Sequence, residues 1–175
     1  MRFLVVEDEF LARLLLQRFL QQYGQVDMAA DGREAVAAVS RALDEHLPYD
    51  LITLDVLMPH LNGRTALRRI RDIESTRGLA VGRGAKVIMA TGVDDPATVL
   101  EAFRQQCDGF LPKPVDPIAL RSLLGQFGLL REDEPAPRAT PRPAPVRPAV
   151  PWKTTRVRLG LAPPPVPADP PLTVP

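Results

Sequence analysis

Among its 175 residues the chain has one cysteine, one tryptophan, two histidines, three lysines and no long apolar run. The single Cys107 excludes an internal disulfide and fits a reducing compartment; it reads as a small buried residue near a helix end. His46 and His60 lack metal-ligand companions, and both read as loop residues rather than catalytic ones. No stretch approaches the roughly 20 apolar residues of a membrane helix. The apolar start Phe3-Leu4-Val5-Val6 meets Glu7 too soon for a signal-peptide core. These shortages predict a soluble, cytoplasmic protein with no membrane span.

Proline is sparse only at first: fourteen of the twenty prolines lie between Pro135 and Pro175. Residues 1–130 hold 15 Lys+Arg against 17 Asp+Glu, a net −2, and the remainder holds 7 against 4, a net +3. The chain therefore divides into a folded domain, 1–130, and a proline-rich tail, 131–175, expected to be disordered with polyproline II character. The folded part has no strongly basic balance, which argues against sequence-specific DNA binding, and no separate DNA-binding domain is expected. Trp152 to Leu161 is the tail's one segment with an aromatic and clustered apolar residues. It reads as linker, with a short docking motif or anionic-surface binder as the alternative.

Strand and helix signals alternate through the first 130 residues. Phe3 to Val6 is a short apolar run, as a strand buried on both faces requires. A helix is expected from about Phe10 to Gln22, with Gly24 as its stop. Val26 to Ala30 reads as the second strand, and Asp31-Gly32-Arg33-Glu34 as a capping-box-like start to the second helix. Asp50 to Leu54 is the third strand, followed by a helix opened by Asn62-Gly63. A glycine-rich connection, Gly78 to Gly84, leads to the fourth strand at Lys86 to Ala90. Asp95-Pro96 and Asp116-Pro117 each place an N-cap before a first-turn proline, with a fifth strand, Gly109-Phe110-Leu111, between those helices. Five βα units predict an α/β, flavodoxin-like, doubly wound (βα)5 three-layer sandwich. Its parallel five-stranded sheet would take the order 2-1-3-4-5.

That order makes strands 1 and 3 neighbours at the switch point, where ligands bind. Their ends carry Glu7-Asp8 and Asp55, while the fourth and fifth strands end at Thr91 and Lys113. Carboxylates crowded to about 4 Å repel by on the order of 4 kcal/mol per pair at an effective dielectric near 20. They raise their pKa values or take up a cation, and an all-oxygen set suits Mg2+. An aspartate can also act as a nucleophile toward phosphorus, with a hydroxyl and an amine to neutralise the transferred group. Arginine supplies the surface charge here, and the lysines are only Lys86, Lys113 and Lys153, so a lysine before Pro114 is poor filler. On their own, Glu7 and Asp8 read equally well as caps of the first helix.

Leu4-Val5-Val6-Glu7-Asp8-Glu9, Leu54-Asp55-Val56-Leu57-Met58-Pro59, Met89-Ala90-Thr91-Gly92 and Phe110-Leu111-Pro112-Lys113-Pro114-Val115 resemble, in order and spacing, the response-regulator receiver domain of two-component signalling. The resemblance covers about residues 1 to 130 and is of the single-domain, chemotaxis-regulator type. It implies that Asp55 is the phosphoacceptor and that Asp8, Asp55 and the Leu57 backbone carbonyl ligate Mg2+, with Glu7 holding it more remotely. It implies that Thr91 bonds the phosphoryl oxygen, that Gly92 leaves room beside it, and that Lys113 pairs with the phosphate ahead of an often cis Lys-Pro bond. Switching would move Thr91 inward while Phe110 changes rotamer. The output face would be the fourth helix, fifth strand and fifth helix, with Val99, Phe103 and Leu123 as contacts and a homodimer through that face as a further option. The phosphodonor would be a sensor histidine kinase or a phosphotransfer protein, and the output protein is not named by the sequence.

Two departures carry expectations. Phe110 stands where many members have tyrosine, and Leu57 and Val93 are apolar where faster members carry polar groups that help water attack. Slow self-dephosphorylation is expected, and a Leu57→Asn, Val93→Glu double variant should shorten the phosphorylated half-life; an unchanged or longer half-life would refute it. The reading is therefore a stand-alone phosphoacceptor that is not an enzyme beyond its own phosphorylation and dephosphorylation. One alternative is a pseudo-receiver acting as a phosphorylation-independent interaction or dimerisation module. Another, a haloacid-dehalogenase-like phosphatase, is disfavoured because the position two after Asp55 is Leu57.

Overall fold

In the computed structural model, the described residues are 1–80, 82–92 and 107–130. They form strands β1 (Arg2–Val6), β2 (Gln25–Ala29), β3 (Leu51–Asp55), β4 (Lys86–Thr91) and β5 (Gly109–Pro112). The helices are α1 (Phe10–Leu20), α2 (Gly32–Asp44), α3 (Gly63–Thr76) and α4 (Pro117–Gln126). The helix expected after Asp95-Pro96, with Val99 and Phe103, lies outside the described residues, as do Val93 and the tail. No helix among the described residues is long and apolar enough to cross a membrane.

All strands are parallel, in the order β2-β1-β3-β4-β5, as the alternating signals predicted. Every residue of β3 is buried, which explains why its sequence is a continuous run rather than an alternation. Successive side chains still point to opposite faces. Leu4, Val6, Ile52, Leu54, Val87 and Met89 pack with Ala35 and Val39 of α2 and Leu67 and Ile70 of α3. Phe3, Val5, Leu51, Ile88 and Leu111 pack with Leu16 and Leu20 of α1 and Leu120 and Leu124 of α4. The sheet is thus the middle of three layers.

Local capping fixes where each helix starts. Asp31 accepts from the Arg33 and Glu34 N–H groups at 2.7 and 2.9 Å, and Glu34 reaches back to the Ala30 N–H at 2.7 Å. Asn62 accepts from Thr65 N–H at 2.9 Å, and Asp116 from Ile118 N–H at 3.1 Å, just ahead of Pro117. Helix α1 ends at Leu20, two residues early, because the chain already turns there: Tyr23 N–H bonds the Leu20 carbonyl at 2.9 Å. Strands β3 and β4 each run one residue further than expected. The ladder continues past them, with Val56 N–H on the Ala90 carbonyl at 2.9 Å.

One core position breaks the apolar rule. Thr53 is paired with Val5 and Ile88, buried, and its hydroxyl has no hydrogen-bond partner among the described residues. A buried unsatisfied hydroxyl costs on the order of 1 kcal/mol or more. Thr53→Val should therefore stabilise the domain by about 1 kcal/mol in urea unfolding; a less stable variant would show that the hydroxyl is satisfied.

Candidate phosphoryl-transfer site

The C-terminal ends of β1, β3 and β5 deliver the charged residues to one place. Glu7 and Asp8 follow β1, Asp55 closes β3, and Lys113 follows β5. Carboxylate oxygens of Glu7, Asp8 and Asp55 lie within 4.8 Å of one another. The Lys113 ammonium donates to Asp55 Oδ2 at 2.6 Å and to Glu7 Oε1 at 2.7 Å. Glu7 and Asp55 are almost fully enclosed, at 1% and 4% exposure, whereas Asp8 is open to solvent. Three carboxylates against one ammonium leave a surplus of negative charge at an opening, and that donor set fits a hard divalent cation.

Electrostatics follow from that enclosure. Burial, with the nearby Asp55 charge, pushes the Glu7 carboxyl above its usual range against the opposing pull of the Lys113 hydrogen bond. Burial works against the Lys113 ammonium too. The hydrogen bonds and charges of Asp55 and Glu7 outweigh it and hold the amine above its ordinary value. Lys113 is therefore a firmly charged cation.

The other predicted residues sit as follows. Thr91 ends β4, is buried, and pairs in register with Pro112; its carbonyl accepts from the Lys113 N–H at 2.8 Å. The Leu57 N–H donates to Asp55 Oδ1 at 3.2 Å, while its side chain is exposed. A Cβ added at Gly92 would meet no described atom within 4 Å. Phe110 is half-buried on β5 and packs against the α2–α3 side of the core. The Lys113–Pro114 bond is cis. Leu123 is half-buried and packed against the α1–α4 side of the core, close to Gly109. His46 and His60 are loop residues with positive φ, and the Cys107 thiol is pushed up to about 11 by burial.

Three features escaped the sequence reading. The first helix is capped by Glu9, which accepts from the Leu11 and Ala12 N–H groups at 3.0 and 2.8 Å. Glu7 and Asp8 are therefore not its caps, and their carboxylates stay in the site. Glu9 directly precedes the first helical residue, a signal that was available. Second, a Cβ added at Gly63 would fall 2.0 Å from the Asp55 carbonyl oxygen, so α3 starts against the backbone of the central acid. Third, Arg13 reaches back from α1 to the carbonyls of Glu7 and Asp8.

Residues 3–125 match the response regulator receiver domain family. The chain is 33% identical over 120 residues to the response regulator PleD of Caulobacter vibrioides, covering 68% of this chain and 24% of PleD, so it spans about a quarter of that relative. It resembles the receiver domain of the Arabidopsis thaliana histidine kinase CKI1 complexed with Mg2+ and BeF3−. That match has a TM-score of 0.62 at 26% identity and covers 73% of this chain and 89% of that one. It also resembles a co-crystal structure of the Saccharomyces cerevisiae phosphotransfer protein Ypd1 with the receiver domain of its response regulator Ssk1. Here the TM-score is 0.63 at 26% identity, with 73% of this chain and 88% of that one covered. The chain belongs to the response regulator receiver family of two-component signalling. The flavodoxin-like fold and the receiver family expected from the four motifs both stand.

Proposed function

We propose that this receiver takes a phosphoryl group onto Asp55 from a phosphohistidine of a sensor kinase or phosphotransfer protein, and signals through phosphorylation-dependent protein contact. The observation that carries this is Lys113, held at 2.6 and 2.7 Å between two buried carboxylates, with Asp8 completing the cluster at the solvent side. An Asp55 carboxylate oxygen forms the O–P bond, the P–N bond to imidazole breaks, and the electron pair leaves on the imidazole nitrogen. Lys113 then follows the new phosphoryl oxygens, and the Thr91 hydroxyl bonds one of them while Phe110 turns.

Glu7, Asp8, Asp55 and the Leu57 carbonyl are the groups that would hold Mg2+. When bound, the ion supplies the positive charge that offsets both the carboxylate surplus and the incoming phosphoryl oxygens. The CKI1 receiver, a structural relative complexed with Mg2+ and BeF3−, supports this reading.

For the donor, α1 offers a surface beside the site: Phe10, Leu11 and Leu15 are each more than 60% exposed, as is Ile118 at the start of α4. Isolated exposed apolar residues need no explanation, but several on one short helix mark a contact face. The Ssk1 receiver bound to Ypd1 supports a phosphotransfer partner of this kind. Output through Val99, Phe103 and Leu123, dimerisation through that face, cytoplasmic placement, and the division into a 1–130 receiver and a 131–175 tail belong to the same proposal.

Incubation with Mg2+ and acetyl phosphate, followed by intact mass, should give one phosphate adduct on the wild type and none on Asp55→Asn. No adduct on the wild type, with Mg2+ binding also absent, would favour the pseudo-receiver. An adduct that survives Asp55→Asn would place the acceptor elsewhere.

A further inference from the structure

We propose that Arg13 is a positioning residue for the metal site, aiming the Asp8 carboxylate by holding the backbone on both sides of it. The proposal rests on the reading that Glu7, Asp8 and Asp55 hold Mg2+. Asp8 is the exposed member of that set, and no hydrogen bond to its carboxylate is seen among the described residues. Its direction must therefore come from its backbone. The Arg13 Nη1 donates to the Glu7 carbonyl at 2.5 Å and to the Asp8 carbonyl at 3.3 Å. Those carbonyls belong to the two peptide planes that flank the Asp8 Cα. Peptide units are planar, so anchoring both fixes the Cα–Cβ direction of the residue between them.

The donor is well suited to this. A guanidinium carries several donors in a rigid fork and stays charged, whereas an amine is a compact, freely rotating point. Arg13 is half-buried, and among the described residues it has no carboxylate within ion-pair distance. Its guanidinium carbon also lies 5.7 Å from the centre of the Phe10 ring, within cation–π range. The neighbouring backbone donors are already committed: Leu11 and Ala12 to the Glu9 side chain, and Glu7 N–H to the Ala29 carbonyl at 3.2 Å. Arg13 is the tie left to hold the carbonyl side of this loop.

The test is a calorimetric Mg2+ titration of the full chain as wild type, Arg13→Ala, Arg13→Lys and Leu16→Ala, each with its urea midpoint. Groups that orient metal ligands from behind typically change affinity 10- to 100-fold. Arg13→Ala should weaken Mg2+ binding on the order of tenfold. Arg13→Lys should fall between it and the wild type, because its freely rotating amine is not held where the planar guanidinium places Nη1. Leu16→Ala loosens the packing of α1 without touching either carbonyl and should leave Mg2+ affinity close to the wild type. Affinity within twofold of the wild type in Arg13→Ala overturns the proposal. So does an equal loss in Leu16→Ala, which would reduce Arg13 to ordinary support of the helix. Should Arg13→Ala not fold, Arg13→Lys carries the same twofold criterion. Absence of Mg2+ binding by the wild type would sink the metal reading itself, an outcome distinct from a failure confined to the Arg13 variants.

Discussion

Replacing Lys113 with methionine is expected to destabilise the metal-free domain by about 3 kcal/mol, the lower end for breaking a buried ion pair. The wild-type ammonium bonds both Glu7 and Asp55, which are 1% and 4% exposed. Methionine keeps most of the stem and removes the charge, leaving two enclosed carboxylates facing each other. The lower end applies because the Lys113 side chain is itself 27% exposed, so water offsets part of the loss. Mg2+ should return part of the stability, since a ligand that binds only the folded state stabilises it by mass action. Urea unfolding with and without Mg2+ measures both effects. A variant within about 0.5 kcal/mol of the wild type without metal would mean that the pairing seen here contributes little. On the role proposed for Lys113, labelling by acetyl phosphate should also fall, because the cation that would pair with the phosphoryl oxygens is gone.

Gly63→Ala should have a still larger effect on folding. The added Cβ would lie 2.0 Å from the Asp55 carbonyl oxygen and 2.9 Å from its carbon, contacts that backbone atoms relieve only by moving. Gly63 N–H also bonds the Val56 carbonyl at 3.0 Å, so α3 cannot withdraw without breaking that bond. Overpacking of this kind costs about 1–3 kcal/mol where side chains yield, and more where backbone must. The expectation is a loss above about 3 kcal/mol, with weakened Mg2+ binding in whatever folds. Gly78→Ala serves as the comparison: a Cβ there meets nothing within 4 Å, and its φ of +80° brings backbone strain alone. A Gly63→Ala variant no less stable than Gly78→Ala would show that α3 shifts at little cost.

Most of the fold was legible because its determinants are local. Short apolar runs between capped helices announce parallel strands buried on both faces, and Asp31, Asn62 and Asp116 act as the caps their sequence contexts suggest. Glu7, Asp8, Asp55 and Lys113 were legible for a related reason, since a charged group at the end of a buried strand needs a partner. What escaped was non-local or competitive. Glu9 and its two acidic neighbours are alike in composition, and only backbone geometry decides which one caps α1. The close approach of Gly63 to Asp55 depends on how α3 docks after a loop. At the opposite end of the sheet, Arg71 bridges Glu74 and Asp108 at 2.7 and 3.0 Å, and Lys86 bonds Asp108 at 2.9 Å. That network ties α3 to the starts of β4 and β5, and beyond the i,i+3 pair Arg71–Glu74 no spacing in the chain announces it. Lysine is no filler outside the site either, because Lys86 is committed as well.

The cap on α1 has one more implication, for the order in which solutes reach the site. Open amides at the start of a helix attract anions, and such a set beside Asp8 would have drawn phosphate with or without a metal. Glu9 occupies the Leu11 and Ala12 amides from within the chain. An anion arriving alone meets a carboxylate surplus and, on that flank, no welcoming backbone. If the carboxylates hold Mg2+ as proposed, the divalent cation would come first and its charge would prepare the way for the phosphoryl group.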